Sequence, residues 1–161
     1  MPTAYIETTV ASYYAARPST NLIIAARQAM TRLWWDSGCS DFELFTSLET
    51  LNESSMGDSG VASRRLTLLE SIPLLSLTPE VDDLAAGLVE AGLVPSKAAS
   101  DAVHIAVASV HHVDYLVTWN FKHIANRFAQ QKLAAAVAAA GYHLPILCSP
   151  EDLYESDPTS E

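Results

Sequence analysis

Lys97 to Asn126 reads KAASDAVHIAVASVHHVDYLVTWNFKHIAN. The spacing predicts a helix from Lys97 to His111, with Ser96 as a candidate cap, then a short turn, then the strand YLVT. Val103, Ala106, Val107 and Val110 make one apolar stripe, and Ala102, Ile105 and Ala108 make another. A helix apolar on most sides is buried in the body of a protein. YLVT is apolar on both faces, as strands of a parallel sheet are. Asp101 falls near the start of the helix and Asn120 just past the strand. A carboxylate among so many apolar residues is costly unless it is paired or bound to a cation.

Outward from this stretch, strands and helices alternate. TAYIETTV opens the chain with a short strand, Ala4 to Ile6, that ends at Glu7, with Thr8 and Thr9 suited to the turn and cap of a helix stopped by Pro18. Residues 22–35 carry helical stripes through Leu22, Ala26, Ala29 and Leu33 and through Ile23, Met30 and Trp34. Of the adjacent Trp34 and Trp35, one is expected in the core and the other is free to anchor a partner. FELFTS reads as a second strand, and the helix after it places Glu49 and Glu53 on one face. Arg64 and Arg65 follow on a helix, at a solvated face or against RNA phosphate. LLSL is a third strand. Thr78 as cap, Pro79 at the first position and Gly92 as stop mark the next helix. An alanine-rich helix is expected from roughly Lys122 to Ala140, followed by the strand PILC and a short helix in PEDLY.

This alternation predicts an α/β domain of three layers, a mainly parallel five-stranded sheet flanked by helices. Residues 1–155 are expected to form it, with 156–161 a frayed tail. Ligands of such sheets bind at the carboxyl ends of the strands, where the strand order reverses. If strands one and four are neighbours, Glu7, Asp101 and Asn120 meet there.

The 161 residues allow one domain with a substantial core, and the positive mean hydropathy argues against disorder. No apolar run is long enough to span a bilayer, and the N-terminus does not read as a secretory signal. Cys39 and Cys148 are too few for a disulfide framework and lack zinc-site spacing, so a reducing cytoplasm is the expected compartment. A net charge of −10 with no Lys/Arg block opposes strong sequence-independent binding to nucleic acid. A nuclease of this charge needs metal ions, local basic residues or a basic partner.

The candidate constellation is Glu7, Glu53, Asp101 and Asn120. Oxygen ligands gathered at one place suit Mg²⁺ or Mn²⁺ rather than zinc. Thr8, Ser47 and Thr118 are candidate hydrogen-bond supports for the acids. Thr118 and Ser47 read equally well as strand ends, and His104, one turn from Asp101, reads most simply as a packed, satisfied histidine.

YIETTV, the Ser-x₅-Glu of SLETLNE, the SDAVHIAVA helix and LVTWNFKHIAN together resemble the PIN domain, particularly toxin ribonucleases of the VapC type. The resemblance runs through essentially the whole chain, most specifically in its second half. It implies a metal-dependent ribonuclease specific for single strands, often a homodimer, inhibited by a small antitoxin protein. It also implies that Glu7, Glu53 and Asp101 hold Mg²⁺ or Mn²⁺ and that Asn120 completes the catalytic set. Glu7 stands where the family has Asp, Asn120 is neutral, and His123 occupies a place where many relatives have another acid. These differences lead to an expectation of reduced activity or a preference for Mn²⁺. The alternative is a PIN-fold binding module that acts through protein or RNA contacts. A dehalogenase-like phosphatase needs an Asp nucleophile and a second Asp two residues on, and Glu7-Thr8-Thr9 supplies neither.

Overall fold

Five short parallel strands carry the apolar runs, in the spatial order β3-β2-β1-β4-β5. The computed structural model describes residues 1–155, so the tail expected at 156–161 lies outside the described residues. The strands are β1 (Thr3–Ile6), β2 (Glu43–Ser47), β3 (Leu74–Leu75), β4 (Tyr115–Val117) and β5 (Ile146–Cys148). Among the described residues, eight α-helices accompany them: α1 (Thr8–Ala15), α2 (Leu22–Leu33), α3 (Leu48–Ser54), α4 (Ser59–Leu69), α5 (Pro79–Glu90), α6 (Ala99–Val110), α7 (Gln130–Ala139) and α8 (Pro150–Glu155). This is the expected α/β architecture, with every strand pair parallel.

The period-two alternation of side chains along the strands divides the core in two. Tyr5 and Leu116 face a cluster with Ile105, Leu88 and Leu133, from α5, α6 and α7. Ala4, Ile6 and Val117 face the opposite cluster with Val10, Trp34 and Leu69, from α1, α4 and the helical turn that follows α2. Trp34 is fully buried and Trp35 half-buried, so one of the pair does enter the core.

Strands β1 and β4 are neighbours, with Ala4 opposite Tyr115, Tyr5 opposite Leu116 and Ile6 opposite Val117. The chain leaves β1 for β2 on one side and β4 lies on the other, so the strand order reverses at β1. The crevice at its carboxyl end is therefore the switch point where such sheets hold ligands.

Local expectations need correction at three places. The cap of α1 is Glu7, whose side chain accepts from Thr9 N; neither Thr8 nor Thr9 occupies that position. A longer side chain serves here because it folds back from the strand exit onto the first turn. Ser96 does not cap α6: a 3-10 turn spans Ser96–Ala98, and Ala98 stands at the N-cap without a side-chain bond. The alanine-rich helix starts at Gln130, not near Lys122. Asn120 Oδ1 accepts from His123 N at 3.0 Å, and Asn126 Oδ1 accepts from Phe128 N at 3.0 Å and Ala129 N at 3.3 Å. Such side-chain bonds offer the backbone an alternative to the helix, and here they hold residues 121–129 in turns.

Among the described residues, no helix is long and apolar enough to cross a membrane.

Candidate functional site

Glu7 leaves β1 at the floor of the crevice and is almost fully buried. Its backbone continues the ladder, Glu7 N donating to Val117 O at 3.2 Å. Its Oε2 accepts from Thr9 N at 3.1 Å, Thr9 Oγ1 at 2.5 Å and Thr118 Oγ1 at 2.7 Å. Burial pushes its pKa up, and these hydrogen bonds together with nearby His104 offset only part of that.

Glu53 comes from the last turn of α3 and is half-buried. Its Oε1 accepts from Thr8 Oγ1 at 2.7 Å and is bonded to His104 Nε2 at 2.5 Å. Burial would raise its pKa, but the bond to His104, the imidazolium charge and the Thr8 and Ser100 hydroxyls outweigh it and hold the pKa below its ordinary value. Glu49, one turn earlier, accepts from Ser100 Oγ at 2.5 Å, which ties α3 to the start of α6.

Asp101 lies in the first turn of α6 and is half-buried. Burial raises its pKa and the Glu53 charge adds to this, against a hydrogen bond from Asn120 and the fields of His104 and His123. The helix N-terminus favours its ionised form. Asn120 thus stands at the exit of β4 with its side chain on Asp101 and its amide N donating to Thr118 Oγ1 at 2.9 Å. The four residues come from four separate segments and meet at one end of the sheet.

His104 holds them together. It is fully buried on α6, its Nδ1 lies 2.7 Å from Tyr5 Oη, and its Nε2 is on Glu53. Burial disfavours its charge, but Tyr5, the Glu53 bond and the field of Glu7 outweigh that and place its pKa well above the ordinary value. It is packed and satisfied, as its sequence context suggested, and it is also the counter-ion of the crevice. Tyr5 Oη meets Ser47 Oγ at 2.7 Å and Thr50 Oγ1 at 3.2 Å as well. Ser47 therefore supports the tyrosine rather than a carboxylate, while Thr8 and Thr118 support carboxylates directly. Arg64 Nε donates to Ala15 O and Arg65 Nε to Ser54 O, both at 3.0 Å, so these guanidiniums fasten α4 to neighbouring helix ends.

Tyr5, Thr9, Thr50 and Ser100 were not among the sequence candidates. Tyr5 sits inside an apolar strand, and its hydroxyl is the one signal that a buried polar partner must exist.

The donor set has the chemistry of a hard cation: three carboxylates, two of them with pKa values raised by burial, and one neutral amide. All of Glu7's side-chain hydrogen bonds fall on Oε2, so its other oxygen is left for another ligand. The side chains are not drawn into a tight cage. Among the described residues, no group of three or more His, Cys, Asp or Glu stands close enough to hold a metal. Comparison with family models, curated proteins and solved structures finds no match to this chain.

Proposed function

We propose that this chain is a divalent-metal-dependent endoribonuclease of PIN type, the toxin of a toxin–antitoxin pair, working in the cytoplasm. The observation that supports the reading is that Glu7, Glu53 and Asp101, from three distant segments, all lie around His104 at the switch point of a parallel sheet, with Asn120 on Asp101. Glu7, Glu53 and Asp101 would hold Mg²⁺ or Mn²⁺, and the ion when bound would supply an activated water and neutralise phosphate charge.

The chain's own groups set the acids in place. Thr9 and Thr118 fix Glu7, Thr8 and His104 fix Glu53, and Asn120 fixes Asp101. Each is a positioning residue, in a site where misplacement by about 1 Å costs ~100-fold in rate. Leu22 and Ile23 on α2 are strongly exposed, which supports association with a second copy or with an antitoxin.

The deciding experiment is cleavage of single-stranded RNA with and without Mn²⁺, by wild type and Asp101→Ala. Metal-dependent cleavage lost in the variant is expected, and equal activity in both ends the nuclease reading. The rival is a binding module, favoured by the saturation of Glu7 Oε2 and the His104–Glu53 pair. It predicts no saturable Mn²⁺ binding by titration calorimetry.

A further inference from the structure

A cleft of about 990 Å³ opens beside the acidic crevice, between the exits of β4 and β5 and the start of α7. Phe121 lines it, one residue beyond Asn120, and is 41% exposed. Its ring is fixed from behind. Trp119 meets it edge-on at 5.9 Å, and the Arg27 guanidinium sits 5.2 Å from its centroid. Trp119 is itself buried and anchored by Nε1 donating to Thr31 Oγ1 at 2.8 Å. Phe128 also lines the cleft and is 97% exposed, on the turn that Asn126 organises. Two aromatic rings are thus presented to solvent in one cleft, on backbone held by named hydrogen bonds.

The charge pattern agrees. From Tyr115 to Pro150 the chain has no Asp or Glu, although it carries 19 in all, and this segment holds Lys122, Arg127 and Lys132. Arg127, Gln130 and Gln131 line the cleft, the amides offering both donors and acceptors. Glu151 lines it too, while Asp152 is committed to Ser149, accepting from its N at 2.9 Å and its Oγ at 3.2 Å.

We infer that this cleft binds unpaired bases of single-stranded RNA, with Phe121 and Phe128 as stacking platforms. The identity of the polymer rests on the nuclease reading above. Every base has a π-face, so stacking tolerates sequence, and exposed aromatics beside cations that track the backbone are a means by which single strands are held. In a duplex those faces are covered by the stacked neighbouring pairs, so the cleft discriminates against double strands. Lys122 and Arg127 take the phosphates, and the amides meet base edges. A body of charge −10 repels the backbone, so bases carry more of the affinity than phosphates do, and the salt dependence is shallow.

The test is fluorescence anisotropy of labelled ten-nucleotide oligouridine and oligoadenosine with the full chain in chelator, where no metal-dependent cleavage can occur. Wild type is expected to bind both and to bind a duplex of the same length more weakly. Phe128→Ala is expected to weaken single-strand binding ~10-fold. Its ring is almost entirely in water, so the substitution leaves the fold intact, which circular dichroism checks. Phe121→Ala provides the second arm. Binding lost in both Phe variants upholds the site even if no cleavage is ever found with Mn²⁺. Affinity unchanged in Phe128→Ala and Phe121→Ala, absence of binding, or preference for the duplex overturns it while leaving Mn²⁺-dependent cleavage to be judged separately. Binding of an apolar peptide that oligonucleotide does not displace likewise overturns it.

Discussion

Thr118 donates its hydroxyl to Glu7 Oε2 across 2.7 Å while accepting from Asn120 N at 2.9 Å. One buried oxygen therefore joins the floor acid of β1 to the loop that positions the amide on Asp101. Thr118→Val removes the donor and strands the Asn120 amide, at an expected cost of roughly 1–3 kcal/mol in urea unfolding. Thr118→Ser restores most of it. A loss below ~0.5 kcal/mol in the valine variant would show that the hydroxyl carries no such link.

Tyr5→Phe deletes one hydroxyl and deprives Ser47, Thr50 and His104 of a partner. The expected penalty is about 1–3 kcal/mol, because the groups left behind are buried. The His104 ring should also titrate at lower pH in the variant, since Tyr5 is among the groups that raise its pKa. Proton NMR of the imidazole reads this directly, and an unmoved titration refutes the coupling.

Stability should pass through a maximum at mildly acidic pH. His104 has a folded pKa above its ordinary 6.5, so its contribution is full below 6.5 and fades as pH climbs through the folded value. Glu7, also raised, contributes fully below 4.5 and loses that contribution as pH rises. Glu53, lowered, contributes above 4.5 and loses it as pH falls through its folded value. Thermal melts from pH 3 to 9 should therefore decline on the alkaline side. Glu7→Gln should flatten that decline, and an unchanged profile contradicts the assignment.

Function and folding should part company at Asp101. Burial and the Glu53 charge both oppose its ionised form. Asp101→Asn is expected to leave the melting temperature unchanged or higher while abolishing Mn²⁺ binding. Asn120→Ala, which frees the carboxylate it holds, should weaken Mn²⁺ ~10–100-fold by calorimetry. Metal affinity equal to wild type in both variants would remove Asp101 from the site.

Much of the sheet was legible because Ala4 to Ile6, Leu116 to Val117 and Leu147 to Cys148 are apolar runs bounded by turn residues, and pattern alone identifies such strands. Their adjacency was legible only as a condition, since nothing local states that β1 lies against β4. The acids were found by type and by their places at strand exits and helix ends. Their partners were not. The bond between His104 and Glu53 spans 51 positions and that between Thr9 and the Trp119 amide spans 110, and such pairings leave no periodic trace. Residues 122–129 misled for a different reason: alanine-rich propensity extends the helix on paper, while two asparagines bind their own backbone and stop it.

The central place of β1 has a consequence for how the molecule comes into being. Its flanks are filled by residues 43–45 and 115–117, so one edge of the opening strand must wait for more than a hundred further residues to be made. At ~5–20 residues per second on the ribosome, that is a delay of roughly 5 to 20 seconds. Until then Glu7 has no Thr118, His104 has no settled bed, and Asp101 has no Asn120. A nascent chain truncated before β4 would have the three acids but not the crevice that gathers them.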